Sequence, residues 1–104
     1  MNTSTGQRLL EFTGRECSHC LRMDPVVEAV ERDVGRPIEK LEVWHHEENA
    51  HLMEDGPYTE QLREACGGFL GVPAFYNEAT GEALCGEQDQ DALLAWARGK
   101  GHGA

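Results

Sequence analysis

The sequence predicts an α/β fold: a four-stranded mixed sheet with helices on both faces. Three observations carry this. A short apolar run, Arg8-Leu9-Leu10-Glu11-Phe12-Thr13, is followed at once by apolar residues at helical spacing. A second stretch, Ile38-Glu39-Lys40-Leu41-Glu42-Val43-Trp44, alternates apolar and polar. Near the end, Ala74-Phe75-Tyr76 and Glu82-Ala83-Leu84-Cys85 flank a turn over Asn77 to Gly81, as a hairpin does. Strand–helix–strand gives a parallel pair, the hairpin an antiparallel one, and joining them makes the sheet mixed.

The elements follow in chain order. Residues 1–7 read as a flexible N-terminus, and residues 8–98 as one domain, because 104 residues bury a single core. The first strand, over 8–13, closes at Gly14. From Cys20 to Val34 the apolar positions Met23, Val26, Val27, Val30 and Val34 form one helical face, which Gly35 and Pro37 end. Pro25 lies inside that helix and is expected to kink it. After the second strand, residues 47–66 are polar and helix-permissive, broken at Gly56-Pro57, so two short helices are expected near 49–55 and 59–66. Gly67-Gly68-Phe69-Leu70-Gly71 leads flexibly to Val72-Pro73 and the hairpin. Asp89 can N-cap a last helix with Ala92, Leu93, Trp96 and Ala97 on its apolar face; Gly99 ends it and 99–104 form a tail.

The composition narrows the function. Nineteen acidic against nine basic residues leave a net charge of −10. Phosphate neutralisation needs clustered Lys and Arg, so nucleic acid is excluded as a partner, and so are anionic membranes. Neutral or basic protein surfaces are the expected partners, and the charge also suits a well-solvated surface or a salty habitat. No apolar run approaches the roughly 20 residues of a membrane span, and Met1 to Arg8 shows no secretory pattern. A soluble, cytoplasmic monomer is expected.

The chemistry concentrates in Cys17-Ser18-His19-Cys20, which stands between a strand and an amphipathic helix. A cysteine at a helix N-terminus meets unpaired N–H groups and the positive end of the helix dipole, which favour the thiolate, the nucleophilic form. Cys20, one turn on, lies on the same face and is better shielded. Cys17 is therefore the attacking thiol and Cys20 the thiol that resolves a mixed disulfide. His19, as a donor or cation, would favour the Cys17 thiolate and make the pair more oxidising. Other readings stand beside this one. The two cysteines could be inert packing residues, or they could begin a zinc site with His19 or His45, although Cys66 and Cys85 supply no second Cys-x-x-Cys. His19 could also simply face solvent.

These residues resemble the thioredoxin superfamily over residues 8–98. Pro25 follows Cys20 by five positions, where thioredoxins carry the helix-kinking proline. Val72-Pro73 resembles the segment with a cis-proline that packs on the dithiol and offers backbone to substrate, and Gly81-Glu82 matches the hairpin turn. Glu11, six residues before Cys17, falls where thioredoxins keep a buried acid that moves the proton of the second cysteine; Lys40 falls where they keep its paired lysine. Each could instead stand in solvent.

The resemblance implies a thioredoxin-like fold lacking the first strand and helix of full-length thioredoxins. It also implies an oxidoreductase that needs no cofactor or metal and works on disulfide-containing or thiol proteins, served by an upstream reductase or oxidant. His19, Val72, Pro73, Cys85 and Gly86 would line its substrate groove. Glu16 replaces the tryptophan that thioredoxins place before the first cysteine, and its charge opposes a thiolate. An interaction module with a vestigial dithiol, binding through 47–66, is the alternative. Cys66 and Cys85 read as small buried residues, as partners of each other, or as a regulatory thiol. Trp44 and Trp96 read as packing residues, His45 and His46 as exposed, and Tyr58 as a partner contact or a loop anchor.

Overall fold

The computed structural model describes residues 8–99. The leader 1–7 and residues 100–104 of the expected tail lie outside the described residues. Strands β1 (Leu9–Thr13), β2 (Ile38–Glu42), β3 (Ala74–Asn77) and β4 (Ala83–Cys85) form one sheet in the order β2-β1-β3-β4. β1 runs parallel to β2, with Glu11 opposite Lys40, and antiparallel to β3, with Glu11 opposite Phe75; β3 and β4 are antiparallel. Helices α1 (Ser18–Val34), α2 (Glu47–Asp55), α3 (Thr59–Ala65) and α4 (Gln90–Arg98) complete the order.

Alternation along β1 divides its side chains between two cores. Leu9 points with Ile38 and Phe75 into a layer closed by Met23, Val27 and Val30 of α1 and Leu93 and Trp96 of α4. Leu10 and Phe12 point the other way, with Leu41, Ala74 and Tyr76, toward Met53 of α2 and Leu62 of α3. Helices therefore cover both faces, as the sequence predicts.

Element ends follow local chemistry. Cys17 N-caps α1, at the helix N-terminus where the sequence reading puts it, its sulfur accepting from Cys20 N–H at 3.3 Å. The helix runs continuously through Pro25 and ends at Gly35, whose φ of 68° is the left-handed cap that glycine adopts freely. Asp89 caps α4, its carboxylate accepting from Ala92 N–H at 2.8 Å. Gly99, read from sequence as the residue that ends this helix, is its left-handed C-cap.

β2 is two residues shorter than expected. The Glu42 carboxylate accepts from the backbone N–H groups of Arg15, Trp44 and His45, at 2.8, 3.2 and 2.8 Å, and so curls the chain out of the strand. Glu78 makes a comparable tie at the other end of the sheet. It accepts from the backbone and guanidinium of Arg8 at 2.8 to 3.1 Å and from the Tyr58 hydroxyl. Tyr58, stacked on Tyr76 with ring centroids 4.4 Å apart, is thus a loop anchor.

Trp96 is fully buried, packs edge-on against Phe75 and donates Nε1–H to the Glu82 carbonyl at 3.0 Å. Trp96→Ala should cost about 3–5 kcal/mol in urea unfolding, and Trp96→Phe less, because it keeps an aromatic ring in the core while losing the hydrogen bond and part of the indole's volume.

Candidate functional site

Gly14 ends β1 and lets the chain turn: its carbonyl accepts Cys17 N–H at 3.1 Å, which sets Cys17 at the mouth of α1. Both Cys17 and Cys20 are free thiols and both are buried, at 7% and 2% exposure. The Cys17 thiol also points at the Val72 carbonyl, 3.7 Å away. The Val72–Pro73 peptide bond is cis. Cys17 therefore sits between the start of α1 and the Val72-Pro73 segment, at the floor of an open groove of about 560 Å³ that Glu16, His19, Trp44, Leu70 and Val72 help line.

Burial, reinforced by the hydrogen bond it shares with Cys17, pushes the Cys20 thiol up to about 11; the Thr13 hydroxyl and Gly14 backbone pull weakly the other way. The two thiols are thus unlike. One opens on a groove, while the other is held protonated beneath it.

Glu11 is fully buried on the α1 face of β1, and neither carboxylate oxygen has a hydrogen-bond partner. Burial pushes its carboxyl up to about 7, against the pull of the nearby Lys40 charge, with Asp24 and Glu31 adding to the rise. Lys40 does not bond it. Its ammonium lies 3.9 Å from Asp24 and is half in solvent, so it acts on Glu11 through the field alone. Thr13, two residues along and on the same face, touches Cys20; that puts Glu11 roughly 7 Å further back along the strand.

The charges expected to act on Cys17 are engaged elsewhere. Nδ1 of His19 lies 2.5 Å from Glu87 and 2.8 Å from the Arg22 guanidinium, on the rim. The Arg22 and His19 hydrogen bonds hold the Glu87 carboxyl down to about 2. Glu16, expected to oppose the thiolate, faces Nε2 of His45 at 2.8 Å. His46 pairs with Glu42, so both histidines are exposed, as read from sequence, but partnered. Among the described residues, no group of three or more His, Cys, Asp or Glu is placed to hold a metal ion.

Of the residues expected in a substrate groove, His19 and Val72 line it. Pro73, Cys85 and Gly86 stand behind that wall: Gly86 N–H donates to the Pro73 carbonyl at 2.7 Å, and Cys85 faces Ala74 across the hairpin. Cys85 is not a thiol; it forms a disulfide with Cys66.

Trp44, read from sequence as core or edge packing, packs at the edge: it is 52% exposed, and its indole lies over Gly14, where a Cβ would fall 2.5 Å from the ring. The clue was Glu42, a carboxylate two residues before it that turns the strand outward. Phe69, at 85% exposure, is a second aromatic on the surface.

Glu11→Gln isolates the cost of the buried carboxyl. Folding raises the affinity of Glu11 for its proton, so both states are protonated at pH 4 and the two proteins should be equally stable. As pH rises from the unfolded-state value of 4.5 through about 7, the native state must ionise a desolvated group and loses stability. Glu11→Gln should therefore be more stable at pH 9 by about 3 kcal/mol, read from urea unfolding at the two pH values.

No family model matches the sequence, and no curated protein matches it. Among solved structures, an asparagine-to-glutamine mutant of thioredoxin from Halobacterium salinarum NRC-1 superposes with a TM-score of 0.58. It is 26% identical, and the match covers 88% of this chain and 72% of that one. Among the described residues, no helix is long and apolar enough to cross a membrane. With its β2-β1-β3-β4 mixed sheet, a Cys-x-x-Cys at the mouth of α1 and this structural neighbour, the chain has a thioredoxin-like fold, shortened relative to that thioredoxin, and a fold of redox type.

Proposed function

We propose that the protein is a thiol–disulfide oxidoreductase that exchanges disulfides with protein substrates through Cys17 and Cys20. One observation supports this above the rest: a free thiol at a helix mouth, on the floor of an open groove, with a second thiol buried one turn behind it.

The Cys17 thiolate attacks a substrate disulfide in line, forming a Cys17–substrate bond and releasing one substrate sulfur as thiolate. Cys20 then gives up its proton and attacks the Cys17 sulfur, forming Cys17–Cys20 and releasing the second substrate thiol. Two electrons and two protons pass to the substrate. Glu11 is the group proposed to take the Cys20 proton through an intervening water: its carboxyl, held at about 7, is half-ionised near neutrality and has no other hydrogen-bond partner. Lys40 biases Glu11 toward the ionised form. Val72 and Pro73 shape the wall on which a substrate backbone would lie, and His19 marks the rim. Run backwards, the same steps oxidise a dithiol substrate.

No cofactor enters these steps. The protein is proposed to act as a cytoplasmic monomer on protein thiols or disulfides, recharged by an upstream reductant or oxidant, and not on nucleic acid or membranes. A redox titration against glutathione fixes the direction, because the sign of the potential difference decides which partner is reduced. The exposed Trp44 and Phe69 also fit an interaction module whose dithiol is idle.

The same variants separate the two readings. Cys17→Ser should abolish insulin-disulfide reduction with dithiothreitol, and Cys20→Ser should accumulate a mixed disulfide visible by mass under non-reducing conditions. An insulin rate unchanged in Cys17→Ser would sink the oxidoreductase and leave the module.

A further inference from the structure

The groove wall that meets Cys17 is held in an unusual way. Between the end of α3 and the start of β3, the chain runs through Gly67 and Gly68, at φ of 78° and 110°, to Phe69, Leu70, Gly71 and Val72. Gly67 and Gly68 N–H still bond to the last turn of α3. From Phe69 to Val72, no backbone N–H donates to any described residue. Leu70 and Val72 are only partly buried against the core beneath. Hydrogen bonding therefore does not fix this segment, although one of its carbonyls faces the attacking thiol.

A covalent bond brackets it instead. Cys66 is the C-cap of α3 and Cys85 the last residue of β4, so their disulfide closes the segment at its base. Both sulfurs stand 4.0 Å from the Gly71 carbonyl oxygen. The next carbonyl, that of Val72, is 3.7 Å from the Cys17 sulfur. Two sulfur centres thus address neighbouring carbonyls of one dipeptide, and neither cysteine of the disulfide is fully buried.

We propose that Cys66–Cys85 is a second redox site, a reducible tether that holds the Gly71-Val72 wall against Cys17. The inference rests on the reading of Cys17 as the attacking thiol. The reductant is an external dithiol. One of its thiolates attacks Cys66 or Cys85, the Cys66–Cys85 bond breaks, and a mixed disulfide forms. Its second thiol displaces the protein sulfur, so two electrons and two protons end on Cys66 and Cys85 and the dithiol leaves as a disulfide. With the tether open, segment 67–72 loses its covalent closure, the wall loosens, Cys17 becomes more open to small reagents, and a protein substrate is held less well. In a reducing compartment a partly exposed disulfide is the kind that senses redox state, whereas in an oxidising one it stays closed.

Titrating the folded protein with dithiothreitol, quenching in acid and alkylating in denaturant should label four cysteines; labelling of only two at every concentration would overturn the proposal. Backbone order parameters of Phe69–Val72 should fall from about 0.85 toward about 0.6 on reduction of Cys66–Cys85 or in the Cys66→Ala/Cys85→Ala protein. In that variant, iodoacetamide should alkylate Cys17 about threefold faster than in the wild-type protein with Cys66–Cys85 oxidised. Unchanged order parameters together with an unchanged alkylation rate would refute the tether. If the double variant does not fold, the wild-type protein with Cys66–Cys85 oxidised and reduced supplies the same comparison. A wild-type protein that fails to reduce insulin would refute the oxidoreductase alone, because thiol counting and order parameters still decide the tether.

Discussion

Five residues of β1 carry hydrogen-bonded strands on both sides and helices on both faces, so the strand has no route to solvent. Leu9, Leu10 and Phe12 satisfy that constraint by being apolar. Glu11 does not, and its carboxyl is left without a hydrogen bond and held up to about 7. A group that costs stability in this way is kept either by chance or by use. It lies on the face that leads through Thr13 to Cys20, where the proposed proton transfer would need a carboxyl. The same strand, ending at Gly14, also sets where Cys17 enters α1, so one element places both the thiols and the acid beneath them.

Around that strand, paired charges hold the loops in place. Glu42 gathers the N–H groups of Arg15, Trp44 and His45 and the ring of His46, and so joins the loop before Cys17 to the end of β2. Two opposed influences read from sequence, an oxidising pull from His19 and a contrary one from Glu16, both weaken once the structure is seen. His19 is turned to Glu87 and Arg22, and Glu16 to His45. Closest to Cys17 are the Cys20 thiol and two backbone groups: the Cys20 N–H that donates to it and the Val72 carbonyl it faces. Fixed dipoles of that kind are screened less by salt than exposed ion pairs are.

Most of the architecture was legible because the elements are short and their patterns agree with their stops. Gly35, Gly99 and Asp89 end or begin helices where a left-handed cap or a carboxylate acceptor is required, and the periodicities of α1 and α4 point their Val, Leu and Trp residues inward. Glu11 was legible for the same reason, as a lone acid in an apolar strand. The failures were non-local. Trp44 continues the alternation of β2 in sequence, yet Glu42 captures the backbone after it and turns the indole onto Gly14. Lys40 has the register of a partner for Glu11 but the reach to prefer Asp24. The pairing of Cys66 with Cys85, one of the readings the sequence left open, was settled only by where α3 ends relative to β4.

The order of the two thiols in any exchange follows from depth rather than from the identity of the residues between them. A substrate disulfide must reach the attacking sulfur along the S–S axis, which requires an open approach, and only Cys17 faces the groove. Cys20, at 2% exposure and held protonated by burial, cannot meet a protein substrate directly; it can only react with a sulfur already bonded to Cys17. The same burial keeps Cys20 out of reach of external thiols and disulfides. Its cost is that Cys20 must shed a proton where burial opposes the charge, and the carboxyl proposed to take it is the one that β1 could not send to solvent.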